Sequence, residues 1–401
     1  MFTLVSQQRA NVTAAATRIQ DVDALRGFAL FGIFVVNVTF MASAFPGNLV
    51  DDPSFDSPLD DVARFVLSAL FSMKFYLLFS FLFGYSFTLQ MAAARRAGAD
   101  FVPRMRRRIL GLFLLGVLNI VALYSGDVLT TYAVACLILL AMYRVRDSTA
   151  LRVAGGLYAL VLISLTSALL VDRSSFVPGH SEALANATEQ TQAMRGSLAE
   201  VIGQHFDGIG LLVIQAVSMQ GPTALAMFLL GMVAGRRGLL RNLDGTEPIL
   251  RRIQIAGFPV GLAGGVAYAA LGGDTDTAAV AVSVVTAPFL TAAYAATLLR
   301  AIHSRRGRRL GSALAPAGRM ALTNYLMQSL IGLLLFTGLG FGLAGQVGPA
   351  ALFLVAIAVF GFQTAISAVW LTRHRYGPVE WLLRWLTNLQ RPEWVTTPRL
   401  G

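Results

Sequence analysis

The sequence predicts an all-α, polytopic integral membrane bundle of about ten transmembrane helices, with both termini in the cytoplasm. Three observations predict it. The 401 residues are 56% hydrophobic and 13% charged, against about 25% charged in an ordinary soluble domain. The apolar residues gather into runs near the 20 residues that cross a hydrocarbon core. The basic residues sort along the chain as membrane topology requires. A soluble enzyme, a disulfide-stapled secreted domain and a disordered chain all fit this composition poorly.

In chain order, residues 1–20 are polar and read as a cytoplasmic N-terminal segment. They hold no apolar run, so no cleavable signal peptide is expected and the first span is retained. A single transmembrane domain follows over 21–390, and 391–401 is a cytoplasmic tail. Its apolar segments lie at roughly 25–45, 62–92, 109–124, 128–143, 151–171, 209–235, 253–272, 277–299, 317–340 and 349–371. The third and fourth are short and read as a tightly turned hairpin held partly inside the protein.

Charge tests this layout. Lys and Arg number 32 and Asp and Glu 21, a net of +11, and Lys74 is the sole lysine. With the N-terminus inside and spans alternating, 28 basic residues fall inside and 4 outside (Arg64, Lys74, Arg173 and Arg195). The acids divide as 8 inside and 13 outside, so the inner face carries +20 and the outer −9. The basic excess is therefore topological and gives no reason to expect nucleic acid as a partner. The outer loops are 46–61, rich in aspartate and proline, and 172–208, which contains the helical stretch SEALANATEQTQAMRGSLAEVI. The small-residue pairs Gly231–Gly235 and Gly338–Gly342 read as helix-packing positions. The cell (cytoplasmic) membrane is the expected location, with membrane lipids as surroundings; homo-oligomerisation is left open.

Polar side chains inside spans are costly and point to a cavity or a partner helix. Asp23 and Arg26, three apart at the head of the first span, share a helix face. A guanidinium placed there is suited to a phosphate or carboxylate. Asn37 lies about 16 Å deeper at 1.5 Å per residue. Lys74 enters the second span with Ser80 after it; it either snorkels or, desolvated, takes part in chemistry. Asn119 and Asp127 flank the turn between the short third and fourth spans, with Asp127 placed to act as a base or to cap a helix. Arg319, Asn324 and Gln328 mark the ninth span, and Gln363, Ser367 and Trp370 form a polar stripe on the tenth; interhelical bonding explains these equally well. The four histidines are scattered and Cys136 is the sole cysteine, so neither a metal site nor a disulfide is predicted. No P-loop, HExxH, nucleophile elbow or CxxC is present.

Six blocks in order, DALRGFALFGIFVVN, KFYLLFSFLFGYSFTLQ, SGDVLTTYAV, GPTALAMFLLGMVAGRRGLL, GRMALTNYLMQSLIG and RYGPVEWLLRWLT, resemble the YeiB-like membrane proteins, the family of unknown function numbered 418. The resemblance covers about residues 20–390. That family is similar to the transmembrane acyltransferases, which pass an acyl group from cytoplasmic acyl-CoA to an acceptor, often a sugar, on the far side. Asp23, Arg26, Gly27 and Asn37 match the first-helix pattern of the N-acetyltransferase branch. Many YeiB-like members carry histidine where this chain has Asn119, and the branch's first-helix histidine has no counterpart here.

The resemblance implies an acyltransferase-like protein with acyl-CoA as donor and an extracytoplasmic sugar, lipid or metabolite as acceptor. Arg26, Arg106, Arg107 and Arg319 would then face the CoA phosphates, and Asn37, Ser80, Asn119 and Asn324 the thioester. Asp127 or His205 would supply the base, with Asp23, Lys74 and Gln328 as further binding candidates. A transporter or lipid translocase of the inner membrane is the alternative, its polar residues lining a path; a partner-binding membrane protein has no dedicated motif.

Overall fold

The computed structural model describes residues 2–170, 179–240, 245–304 and 307–395, with side chains from residue 20 onward. Arg9 and Arg18, Arg173, Arg241, Arg305, Arg306 and Arg399, loop residues 172–178 and tail residues 396–401 lie outside that description.

Among the described residues sixteen α-helices follow one another: α1 (Phe2–Ala42), α2 (Pro58–Val66), α3 (Lys74–Arg96), α4 (Phe101–Ala122), α5 (Leu129–Ala141), α6 (Asp147–Leu169), α7 (His180–Ala193) and α8 (Leu198–Asp207), then α9 (Ile209–Gln215), α10 (Gly221–Arg237), α11 (Glu247–Ala270), α12 (Thr277–His303), α13 (Arg308–Arg319), α14 (Ala321–Phe336), α15 (Pro349–Arg373) and α16 (Pro378–Asn388). No strand occurs among the described residues. Among the described residues seven helical stretches are long and apolar enough to cross a membrane: 20–42, 58–96, 147–169, 198–237, 247–270, 277–303 and 349–373. Apolar side chains face outward where a water-facing helix would carry charge, as at Leu114, Ile163, Leu354 and Phe362. The predicted short hairpin is α4 and α5; α5 has 13 residues, too few to cross alone, and α4 begins with two turns that hold four arginines, Arg104, Arg106, Arg107 and Arg108.

Two long stretches are interrupted by one π-helical turn each, Leu67–Phe71 before α3 and Ala216–Gln220 before α10. At the first, Met73 adopts a left-handed φ of 66°. Past these turns α3 and α10 cross at backbone distance. A Cβ on Gly84 would lie 2.0 Å from the Phe228 carbonyl oxygen, and one on Gly231 would lie 2.0 Å from that of Phe81. Only glycine permits this approach. Gly235 packs on Thr88 in the same seam. Around it Phe83 stacks on Phe228 at 4.7 Å and Tyr132 meets Phe228 edge-on at 5.2 Å.

The segment read as a ninth span from 317 to 340 is built differently. Met320 separates α13 from α14, and α14 ends at Phe336. Gly338 and Gly342 therefore sit in the following turns rather than on a helix face: Gly342 has φ of 64° and Gly338 abuts the Arg195 and Gly196 carbonyls. The chain turns because Thr337 leaves the helical region at ψ 165°. The outer helical stretch likewise divides into α7 and α8, broken at Ser197, whose side chain forms a capping box with Glu200.

Candidate functional site

Glycine brings two arginines together. α13 lies on α1 so closely that a Cβ on Gly318 would fall 1.8 Å from the Asp23 carbonyl oxygen and one on Gly27 2.3 Å from that of Leu314. The residues adjoining those glycines, Arg26 and Arg319, consequently share one cavity wall. Arg26 is fixed on both sides: Nη1 pairs with Asp23 Oδ1 at 2.5 Å and Nη2 donates to Ser86 Oγ at 2.6 Å.

The cavity has two chambers. The polar one, about 300 Å³, is lined by Arg26, Arg104, Arg108, Arg319 and Arg384 together with Gln90, Phe101, Tyr376, Glu380 and Asn388. The apolar one, about 230 Å³, is lined by Leu30, Ile33, Phe79, Phe83, Leu112, Tyr132 and Tyr325 among others. Arg26, Gln90, Met105, Arg108, Arg319 and Glu380 border both, so the two form one passage. Along α3, from Gln90 to Phe79, it runs about 16 Å at 1.5 Å per residue.

The polar chamber is short of acid. Of its five arginines, Arg26 is the one with a carboxylate within ion-pairing distance among the described residues. Arg104 bonds to Asn388, Arg319 donates to the Arg375 carbonyl at 3.3 Å, and Arg384 sits 5.0 Å over the Tyr376 ring. Glu380, the acid in the lining, is committed elsewhere. Its Oε1 accepts from the backbone N–H groups of Leu322 and Thr323 at 2.7 and 3.0 Å, at the start of α14. Burial raises this carboxyl above the usual range while the Thr323 bonds act against it. The chamber is thus electropositive, with forked donors suited to phosphate.

At the far end two tyrosines differ. The Tyr132 hydroxyl donates to the Tyr76 carbonyl at 3.0 Å and accepts from Ser80 Oγ at 2.6 Å, so its proton rests on a backbone oxygen. The Tyr325 hydroxyl accepts from Val128 N–H at 3.2 Å and donates to Asp127 Oδ1 at 3.3 Å. Asp127 is fully buried, and accepts from Asn119 Nδ2 at 3.0 Å and from Thr130 N–H at 2.8 Å.

The sequence candidates distribute unevenly over this geometry. Arg26 and Arg319 line the passage, with Asp23 behind Arg26. Asp127 and Asn119 stand one shell behind Tyr325, and Ser80 one shell behind Tyr132. The others lie elsewhere. Asn37 is half-buried on α1, outside the lining. Asn324 donates to Ser367 Oγ at 3.0 Å, and Gln328 to Gln363 at 3.0 Å, tying α14 to α15. His205 meets the Val121 carbonyl at 3.2 Å. Lys74 neither snorkels nor reaches the passage; its ammonium is buried, donating to the Ser68 carbonyl at 3.0 Å and lying 5.3 Å from the Tyr268 ring centre. On α4 the passage is faced by Arg104 and Arg108, whereas Arg106 is exposed and Arg107 donates to the Thr387 carbonyl. The four-residue spacing of Arg104 and Arg108 on one helix face was the available signal for this pair. Glu380, Gln90 and Tyr325 carried none, because their position depends on helices distant in sequence.

A model of a protein family of unknown function, DUF418, matches residues 234–390. The uncharacterized protein YxaH of Bacillus subtilis (strain 168) is 33% identical over 399 residues, spanning 94% of this chain and 96% of that protein. The chain belongs to the DUF418 family. Other relatives of this DUF418 protein are the uncharacterized protein YeiB of Escherichia coli (strain K12), 29% identical across 91% of this chain and 95% of its own length, and an uncharacterized 39.9 kDa protein from the amylase 3' region of Bacillus acidopullulyticus, 29% identical across 92% and 94%. Full-length matches place the DUF418 passage, contributed by α1, α3, α4, α5, α13, α14 and α16, within the shared part of the chain.

Proposed function

We propose that this DUF418 protein is a membrane acyltransferase that takes an acyl group from acyl-CoA and passes it to an acceptor on the opposite face. The supporting observation is the two-chamber passage: an arginine-lined polar chamber opening into an aromatic one. The polar chamber offers guanidinium groups for phosphates and Phe101, Tyr376, Gln90 and Asn388 for a base. The linear passage suits a pantetheine arm, which would bring the thioester to Tyr132 and Tyr325.

The same reading supplies the topology. Each of the ten predicted segments contains helix, seven of them in the long apolar stretches and the other three at α4, α5 and α14. With both termini cytoplasmic, the arginine chamber lies on the cytoplasmic side of the cell membrane, where acyl-CoA is made, and Asp127 toward the outer side. The electropositive chamber adjoining an apolar one also fits the headgroup and tail of an anionic lipid, the arrangement a translocase would need. Titration of purified full-length protein with acetyl-CoA separates the two. Saturable binding competed by free CoA and not by phosphatidylglycerol is expected; no binding at millimolar acetyl-CoA would sink the acyltransferase reading.

A further inference from the structure

We infer that Tyr325 is the catalytic residue at the apolar end of the passage, and that Asp127 reaches the bound molecule only through it. The inference rests on the acyl-transfer reading. Tyr325 lines the apolar chamber and Asp127 does not. The phenol stands between them, 3.3 Å from Asp127 Oδ1 and 3.2 Å from Val128 N. A phenol has one proton and two lone pairs. The proton is directed at Asp127 and one lone pair takes the Val128 N–H, which leaves one lone pair for a proton donor in the chamber. Tyr132, the other tyrosine there, also keeps one lone pair, but its proton goes to the Tyr76 carbonyl, which is no base, whereas that of Tyr325 goes to a carboxylate. Asp127 is held ready by Asn119 Nδ2 and Thr130 N–H, both donors to its carboxylate.

The step balances without a further reactant. The acceptor's O–H or N–H proton passes to Tyr325 Oη while the phenol proton passes to Asp127 Oδ1. The acceptor's electron pair forms a bond to the thioester carbonyl carbon, the C–S bond breaks, and the CoA thiolate takes the proton back from Asp127 through Tyr325. Nothing is oxidised or reduced, and both side chains end as they began. Water in place of the acceptor gives hydrolysis by the same route.

The test uses full-length protein in detergent with acetyl-CoA, separating released CoA by chromatography. Tyr325→Phe and Asp127→Asn should each slow release about a hundredfold or more. The double variant should be no slower than either single one, because the pair acts as a unit. Acetyl-CoA affinity should stay within threefold, since the arginine chamber is untouched. The Asp127 carboxyl stretch, isolated by infrared difference against Asp127→Asn, should move in Tyr325→Phe, which a packing role would not predict. Tyr325→Phe retaining wild-type release while Asp127→Asn loses it, or an unmoved carboxyl band, overturns the inference and leaves the acyltransferase reading standing. A wild type that binds acetyl-CoA and releases no CoA overturns both.

Discussion

Glu380 and Thr323 fasten two helices together through one carboxylate. Glu380 Oε2 accepts from Thr323 Oγ1 at 2.5 Å while Oε1 takes the Leu322 and Thr323 backbone N–H groups. The first N–H groups of a helix have no partner within it, and a carboxylate there also meets the positive end of the macrodipole. Thr323 Oγ1 in turn accepts from Val379 N–H at 3.1 Å, so the link is reciprocal. Glu380→Ala should lower stability by about 1–3 kcal/mol, read as a fall in thermal midpoint, and should open the Gly377 turn to protease. An unchanged midpoint would mean that α16 is held by its leucines alone.

If the polar chamber holds the proposed donor, its charge should set the affinity, and α4 provides the control. Arg108 lines both chambers, whereas Arg106, two residues away, is exposed. Arg108→Ala should weaken acetyl-CoA binding about tenfold, the scale of one charge-assisted hydrogen bond. Arg106→Ala should change it less than twofold by calorimetric titration. Equal losses in the two would identify a diffuse surface potential rather than a chamber as the source of affinity.

Periodic and compositional features of the chain were legible because they are local. The helical segments follow from hydropathy, and every predicted segment contains a helix. Where α14 ends was not legible, since the stop at Thr337 comes from backbone turns that hydropathy ignores. The site was half legible. Arg26 and Arg319 announce themselves as arginines at span ends. Their meeting is written in Gly27 and Gly318, which look like ordinary small residues until α13 is laid on α1. Asn324 and Gln328 carried the same intramembrane polarity as site residues, but that polarity joins helices instead. Tyr325 sits one position after Asn324 on the same helix and faces the passage; a 100° turn of the helix divides glue from site.

The α3–α10 crossing should tolerate no side chain at its closest points. Gly84→Leu must displace the Phe228 backbone, and Gly231→Leu that of Phe81. Overpacking in a filled core costs typically about 1–3 kcal/mol, and with backbone as the obstacle the upper end applies. Both variants should show reduced yield and a lower midpoint, and the double variant should be less destabilised than the sum, because one separation of the helices relieves both clashes. Gly361→Leu, with open space around its position, should be neutral. A neutral Gly84→Leu would contradict the crossing.

Lys74 poses a charge problem at the opposite side of that crossing. Its ammonium is 1% exposed, and Asp274, which accepts from Tyr268 Oη at 2.6 Å, is the acid whose field acts on it. Asp274 itself is exposed and stands beyond ion-pairing distance of the ammonium, so the lysine is the desolvated partner and the attraction between them is weak. Asp274→Asn should therefore destabilise by no more than about 1 kcal/mol, and Lys74→Met, an apolar chain of similar length that removes the buried charge, should be neutral or stabilising. In the Lys74→Met background the Asp274→Asn penalty should largely vanish, giving a coupling below about 1 kcal/mol in a double-mutant cycle. Additive effects would show that Tyr268 alone, and not the lysine, fixes Asp274. Acetyl-CoA affinity should be unchanged throughout, since Lys74 lies outside the passage.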